Sequence, residues 1–500
     1  MKAFNYIGAM TRRSPITLLW LALTAPVLAD DAMTLELYVD PANGQVYTTP
    51  GENRINLGRF RKESENAPSA AKLAAMEQRL AAKEKELDSK LTQLGNKVEA
   101  QELTLEQSEQ KQAKANRQEK WYDKIRVRGY TQVRYNQILS GDRRADSGES
   151  RLRSVHDRSI GDDNSFSLRR IRLVFQGDLN DYVSFYLQPD FASGISNQSN
   201  NERRENFVQL RDAYADIFFD KAHEYRLRVG QSKVPFGWEN LQSSQNRIAL
   251  DRADAVNAAV PSERDLGVVA YYTPTHVQEI WSRLKNDKQK LFGNYGAVGV
   301  GVFNGQGVNR TEKNDEFMYA GMVTYPLELD ALGEIFKGQV IEAGVSAMHN
   351  RVNVEQSSGG TTAEEFSEDR IGFHVVKYPQ PFGFQTEWSW GKGPEWDSDD
   401  QKVQEKNFHG GYVQAMYRIL DFYGDWMPYL KWQTFRGGWK SSTNAPRAET
   451  DEFEAGVEWQ IMKELELTLA YSKMSRKELS TSRFGQAEGD LIRTQLQWNY

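Results

Sequence analysis

Arginine at alternate positions is the chemically suggestive pattern in this chain. Arg126, Arg128 and Arg134 fall in a run whose intervening residues include Val127, Gly129, Thr131, Val133 and Tyr135. The spacing returns at Arg170 and Arg172 and at Arg226 and Arg228, and Arg493 stands in the last run of the chain. Residues two apart on a strand share a face, so each group becomes a stack of guanidiniums on one wall. A guanidinium stays charged at every physiological pH and holds an oxyanion through paired N–H donors. A series of them can hand an anion from site to site. The same arginines could instead neutralise acids of the same phase, among them Asp178, Asp212, Asp216, Glu342, Glu387, Glu454, Glu458 and Glu466. The outcome would then be a field across the enclosed space, not an anion path.

Other chemistries find little support. With no cysteine there is no thiolate nucleophile, disulfide framework or zinc-cysteine site. The six histidines are scattered without metal-ligand spacing and read as wall or surface residues. Gly299 to Gly305 lacks the third glycine and the following helix of a dinucleotide loop; it reads as a strand whose small inward residues leave room. Glu452 and Glu454 could form an acid–base pair, but at i, i+2 they share a wet wall with other acids. No catalytic residue, metal or cofactor is expected. A net charge of −6 argues against nonspecific nucleic-acid binding.

The elements that position these side chains follow from period-two alternation, which runs from Trp121 to the C-terminus. Phe453, Ala455, Val457, Trp459 and Ile461 alternate with Glu452, Glu454, Gly456, Glu458 and Gln460. A buried soluble core does not tolerate so many charges on one face. About sixteen such segments of roughly 9 to 12 residues can be counted, matching tilted strands of an outer-membrane barrel. No segment after the N-terminus is long and apolar enough for a spanning helix, so a membrane role requires a closed barrel.

Connectors alternate between short links and long polar ones, as periplasmic turns and external loops do. The link 274–294 breaks this rule, being long where a short turn is due. The longest connector, 234–265, has 32 residues, and a link of that length usually has a function. Folded inward, it would place Arg247, Arg252 and Arg264 beside Asp251, Asp254 and Glu263 at a constriction. Projecting outward, it would be an external cap.

Ahead of the barrel, residues 1–29 read as a secretory signal, with Lys2, Arg12 and Arg13 before an apolar core from Ile16 to Leu23. A membrane anchor is the alternative. Residues 30–67 read as a short periplasmic hairpin and linker, with strands over 34–39 and 45–48 around the turn 41–44. Residues 68–120 shift to Ala, Glu, Lys, Gln and Leu and read as a helix. Its 3,4-spaced Leu73, Met76 and Leu80, then Leu87, Leu91, Leu94, Val98 and Leu105, favour a coiled coil over a solvated linker. Residues 121–500 form the barrel, and the final run 493–500 ends in the aromatic Tyr500, like an outer-membrane assembly signal.

The barrel region resembles the phosphate-selective porin O/P family. The resemblance lies in Leu168-Arg169-Arg170-Ile171-Arg172-Leu173 with Phe175 and Gly177, in Leu210-Arg211-Asp212-Ala213-Tyr214, in residues 228–237, in Val302-Phe303-Asn304-Gly305 and in the final strand. It implies a trimeric, sixteen-stranded channel in the outer membrane of a Gram-negative bacterium, surrounded by outer-membrane lipid and constricted by its third external loop. It also implies an arginine ladder with central lysine and hydroxyl groups; Lys233, Ser243 and Ser244 are the nearest matches. The N-terminal helix is similar to periplasmic coiled coils that contact peptidoglycan. Two departures stand against phosphate selectivity: the interleaved acids and a constriction loop that is net acidic.

Three functions follow as expectations. The first is a passive channel biased towards phosphate or related oxyanions. The second is a general diffusion porin with a transverse charge field. The third, from another class, is a secreted β-rich hydrolase.

Overall fold

The computed structural model describes residues 34–61, 74–75, 78–95, 97–98, 121–141, 152, 160, 165–196, 203–479 and 486–500. The chain divides into two compact units, Met1–Gln118 and Glu119–Tyr500. The expected signal segment, and much of the expected 68–120 helix, lie outside the described residues.

In the first unit β1 (Thr34–Val39) and β2 (Val46–Tyr47) form the expected hairpin, and β3 (Ile55–Arg61) adds on the other side of β1 to give the order β2-β1-β3. The third strand was not foreseen: its run is short, and Gly58 adopts φ 110° next to a register shift opposite Leu37 and Tyr38. Residues 78–95 are helical, and their Leu80, Leu87, Leu91 and Leu94 are exposed. The structure contains one chain, so pairing of this stripe into a coiled coil is not shown.

The second unit is a closed antiparallel barrel of sixteen strands. In chain order they are β4 (Arg126–Gly141), β5 (Ser165–Asn180), β6 (Val183–Ser196), β7 (Arg203–Phe218), β8 (Tyr225–Lys233), β9 (Arg264–Tyr272), β10 (Val298–Phe303) and β11 (Met318–Glu328). They continue as β12 (Val340–Val352), β13 (Phe366–Lys377), β14 (Phe382–Asp397), β15 (Lys402–Tyr417), β16 (Asp425–Gly438), β17 (Arg447–Met462), β18 (Leu465–Leu479) and β19 (Gln486–Asn499). Strands reach 16 residues in β4 and shrink to 6 in β10, a wider range than the sequence suggested. β19 pairs with β4 to close the circle, and Tyr500 exchanges backbone hydrogen bonds with Gly129.

Alternation sets the two faces. Val127, Leu168, Val229, Val300, Val345, Ile371, Leu430 and Leu469 are exposed on the outside, where lipid covers them. Aromatic side chains such as Tyr225, Tyr325, Phe382, Tyr417 and Trp498 also face outward, suited to the membrane interface. A barrel of this size has no core of its own in the wall. Its core sits in the lumen and is built from two infolded connectors.

The first is the loop 234–263, which carries α2 (Trp238–Leu241) and α3 (Asp254–Ala259) and is buried almost throughout. Its Val234, Phe236, Ala259 and Val260 pack on Val269, Tyr271, Phe303, Met318, Ala320 and Met348 of the inner wall. Ile248 and Ala249 meet Met416, Met427 and Tyr429, while Ala255 and Ala258 meet Phe408, Phe435 and Trp439. The inner face of β9 to β16 is therefore partly apolar where uniform wetness was expected. Gly299 and Gly301 do face inward, but Tyr271, Phe303 and Pro235 fill the space beside them. Those glycines admit the packed loop and leave no open room.

The second connector, between β9 and β10, carries α4 (Thr275–Asn286). Val277, Trp281 and Leu284 of α4, with Leu291 and Phe292, join Trp238 and Leu241 in one buried cluster against Met322, Val340, Val376 and Tyr378. This is the long link that broke the short-turn rule.

Candidate pore and anion-binding site

The infolded loop packs its apolar residues against β9 to β16 and meets the polar wall of β4, β18 and β19 through Ser244, Gln245, Leu250, Asp251 and Asp254. Every strand arginine expected to face inward except Arg126 and Arg128 is buried: Arg134, Arg170, Arg172, Arg226, Arg228 and Arg493. Arg126 and Arg128 share their phase but lie near the start of β4, where Arg126 is exposed and Arg128 half-exposed. β19, β4 and β5 are neighbours, so their arginines form one stripe.

Most of this stripe is neutralised. Asp251 of the loop receives Arg134 at 3.0 Å, Arg169 at 3.5 Å, and Arg493. Burial raises the Asp251 carboxyl, but Arg134, Arg493, Arg169 and Arg170 outweigh it and hold the group well below the usual carboxylate range. Arg172 Nε donates to Asp190 at 2.7 Å, and its Nη1 donates to the hydroxyls of Tyr130 at 2.9 Å and Ser244 at 3.0 Å. Arg228 makes a two-pronged contact with Asp216 at 2.7 and 2.9 Å, and Arg226 lies 3.6 Å from the same carboxylate. Arg493 also reaches Glu454 at 3.3 Å.

The net acidity of the loop has the same explanation. Its acids are anchors: Glu239 sits 2.6 Å from Lys431, Asp254 2.5 Å from Arg476, and Glu263 3.1 Å from Arg252 and 2.6 Å from Arg264. Asp265, at the loop's return, accepts the backbone N–H groups of Gly305 and Gly307. A loop held by charge pairs to three sides of the wall has its acids consumed, and they do not repel an anion from the open side.

Lys233, expected at the centre, is buried in contacts with the loop. Its ammonium donates to the carbonyls of Asn240 at 2.9 Å and Gln242 at 2.7 Å and lies 3.1 Å from Glu263. It ties the loop's first turn to its end. Ser244 does reach the arginine stripe, where its hydroxyl is 2.6 Å from that of Tyr130. Ser243 is half-buried, and its carbonyl accepts the N–H of Asn246.

Arg170 and Arg247, like Arg211 of β7, have no ion pair among the described residues. Arg170 is buried and makes one hydrogen bond, 2.7 Å to Gln132 Oε1. Arg247 of the loop is 6% exposed, and its buried Nε and Nη2 have no partner. The two are electrostatic neighbours, and Arg169 and Arg172 also bear on Arg170. Like charges gathered with unfilled donors out of bulk water are costly unless an anion or water occupies the gap. Ser244, already aimed at the stripe, and Gln132, whose amide donates to the Ser244 carbonyl at 3.2 Å, frame that gap.

Sequence reasoning missed Arg169 and Arg211, and the reason is local. Between Gln132 and Val133 of β4 the partner in β5 jumps from Arg170 to Leu168. Between Gln188 and Pro189 of β6 the partner in β7 jumps from Asp212 to Leu210. Each jump is a β-bulge that leaves one extra residue and re-aims it. The extra residues are Arg169, which reaches Asp251, and Arg211, which donates to the Ser262 carbonyl at 3.0 Å. Strict period-two phasing assigns both to the lipid face.

The sequence profile described as phosphate-selective porin O and P matches residues 142–500. No curated protein matches the chain. Among solved structures, the outer membrane channel DcaP of Acinetobacter baumannii is 15% identical, with 75% of this chain and 97% of that one covered and a TM-score of 0.44. An anion-selective porin from Comamonas acidovorans is 11% identical, with 75% and 99% covered and a TM-score of 0.43.

Proposed function

Because the chain belongs to the phosphate-selective porin O and P family, we propose that this outer-membrane porin passes small hydrophilic solutes with a bias towards inorganic phosphate and related oxyanions. Family and fold are those of channels and not of enzymes. The observation that supports the bias is the pair Arg170 and Arg247, electrostatic neighbours that are both buried and make no close ion pair among the described residues. Arg126 and Arg128 extend the positive wall towards the periplasmic end, and Arg134, Arg172, Arg226, Arg228, Arg252 and Arg493 hold the surrounding shape through their ion pairs. Lys233 and Ser243 act through the fold of the constricting loop, and Ser244 joins the permeant's path through Arg172.

The same reading extends to assembly. After removal of the signal at 1–29, residues 30–67 and the segment 68–120 lie in the periplasm. Three copies associate, and the exposed stripe Leu80, Leu87, Leu91 and Leu94 supports a coiled coil between them, since an apolar stripe on a polar helix needs a partner. Peptidoglycan is the nearest surface for that helix to contact.

The test is single-channel recording in planar bilayers. Chloride current through the full chain is expected to be blocked by millimolar phosphate. Hydrogen bonds to a charged group contribute about 1.5–3 kcal/mol, so Arg247→Gln or Arg170→Gln should weaken the block about tenfold or more. Cation preference without phosphate block defeats the oxyanion bias and leaves a general diffusion porin.

A further inference from the structure

Several links on the rim that joins β5 to β6 are short, as at residues 181–182, 378–381 and 463–464, and the second longest there is 329–339. The link from β9 to β10 occupies 273–297, and it does not stay at the rim. After α4, its chain leaves the β9–β10 side and reaches the far wall. Lys288 lies 3.1 Å from Asp425 at the start of β16. Lys290 is bonded to Glu458 on β17 and lies 3.0 Å from Glu466 on β18. In the barrel order β18 stands half-way round the circle of sixteen from β10. The segment then returns to the β8 wall, where the Asn294 carbonyl accepts from Arg226 at 2.8 Å and Arg228 at 3.3 Å.

A strip of backbone anchored on opposite walls divides the lumen. On one side the inward residues Met322, Val340 and Tyr378 are sealed under it. On the other, Arg126 stays exposed and Arg128 half-exposed. The strip also supports the constricting loop from below: Leu291 and Phe292 lie under Trp238 and Leu241, and Gln242 Nε2 donates to the Lys290 carbonyl at 3.1 Å.

We propose that residues 287–297 are a periplasmic strap, a second constriction that seals the exit beneath β11 to β13 and confines permeation to the arginine wall, with Lys290 latched on Glu458 and Glu466. Lys290 is thus a specificity-determining residue, because it places a cation of the strap between two wall glutamates at the edge of the exit. The inference rests on the channel reading above.

The experiment uses the full chain in planar bilayers. Lys290→Met keeps side-chain length but loses the latch, and Glu458→Gln with Glu466→Gln loses it from the other wall. Both are expected to raise single-channel conductance, by about twofold for a constriction that limits flow. The chain has no cysteine, so Lys290→Cys offers a single thiol, and a sulfonate-bearing thiol reagent should then lower the current. If the unmodified protein conducts and neither conductance nor reagent sensitivity changes at position 290, the strap is overturned while the channel stands. If the unmodified protein carries no current, it is the channel reading that fails.

Discussion

Asp251→Asn removes the carboxylate on which Arg134, Arg169 and Arg493 converge while leaving the loop's other anchors in place. Glu239 keeps Lys431, Asp254 keeps Arg476, and Glu263 keeps Arg252 and Arg264. Loss of one partner from a buried ion pair destabilises by about 3–5 kcal/mol, and here that loss is shared among three cations, of which Arg134 keeps Gln495 and the Leu250 carbonyl and Arg493 keeps Glu454. The loop should loosen locally around residue 251 and stay docked. The electrostatic consequence is one uncompensated positive charge at the constriction. Unit charges 4 Å apart interact by about 1 kcal/mol in water and about 4 kcal/mol near a protein surface. Taking the lower value, with screening over a Debye length of about 8 Å, leaves about 1 kcal/mol for a passing anion. Anion-over-cation permeability should therefore rise roughly fivefold, read as a shift of reversal potential in a potassium chloride gradient. An unchanged or more cation-preferring reversal potential in a normally assembled variant refutes the view that Asp251 neutralises the stripe.

Further expectations concern the same loop. The Asp251 carboxyl is depressed by its arginines beyond what burial raises it, so its contribution is complete above the ordinary carboxylate range and disappears only as pH falls through the lowered value. The difference in reversal potential between the unmodified protein and Asp251→Asn should thus stay constant from pH 7 to pH 5; a difference that shrinks over that range contradicts the assignment. Gly237 has φ 75°, and a Cβ there would collide with Glu387 Oε1, in the carboxylate that accepts the N–H groups of Trp238 at 3.2 Å and Glu239 at 2.9 Å. Gly237→Ala should push the loop from its seat at a cost of about 1–3 kcal/mol from the backbone alone, since φ 75° with ψ 153° is a conformation only glycine adopts freely. Faster tryptic cleavage at Arg247 or Arg252 in the folded barrel would report it, and unchanged protease resistance would count against it.

Much of the architecture was legible because a barrel wall writes itself in period two. Lipid on one side and water on the other force apolar and polar residues to alternate, so strand number, closure of β19 on β4 and the facing of Arg134, Arg170, Arg172 and Arg493 could all be phased from sequence. The length of the 234–265 connector signalled a function, and the long 274–294 link signalled a departure. What each did was not legible. Both are held by contacts between residues far apart in sequence, such as Lys290 with Glu458 and Glu466, or Asp254 with Arg476.

The alternation by itself therefore determined which wall is basic, but it could not say which arginines are free. That was decided by tertiary structure, for two physical reasons. Bulges at Arg169 and Arg211 break the period and bring in two cations that phasing sends to the lipid. The infolded loop then supplies Asp251 to Arg134, Arg169 and Arg493, takes Lys233 for its own carbonyls, and leaves Arg170, Arg211 and Arg247 without an ion pair among the described residues.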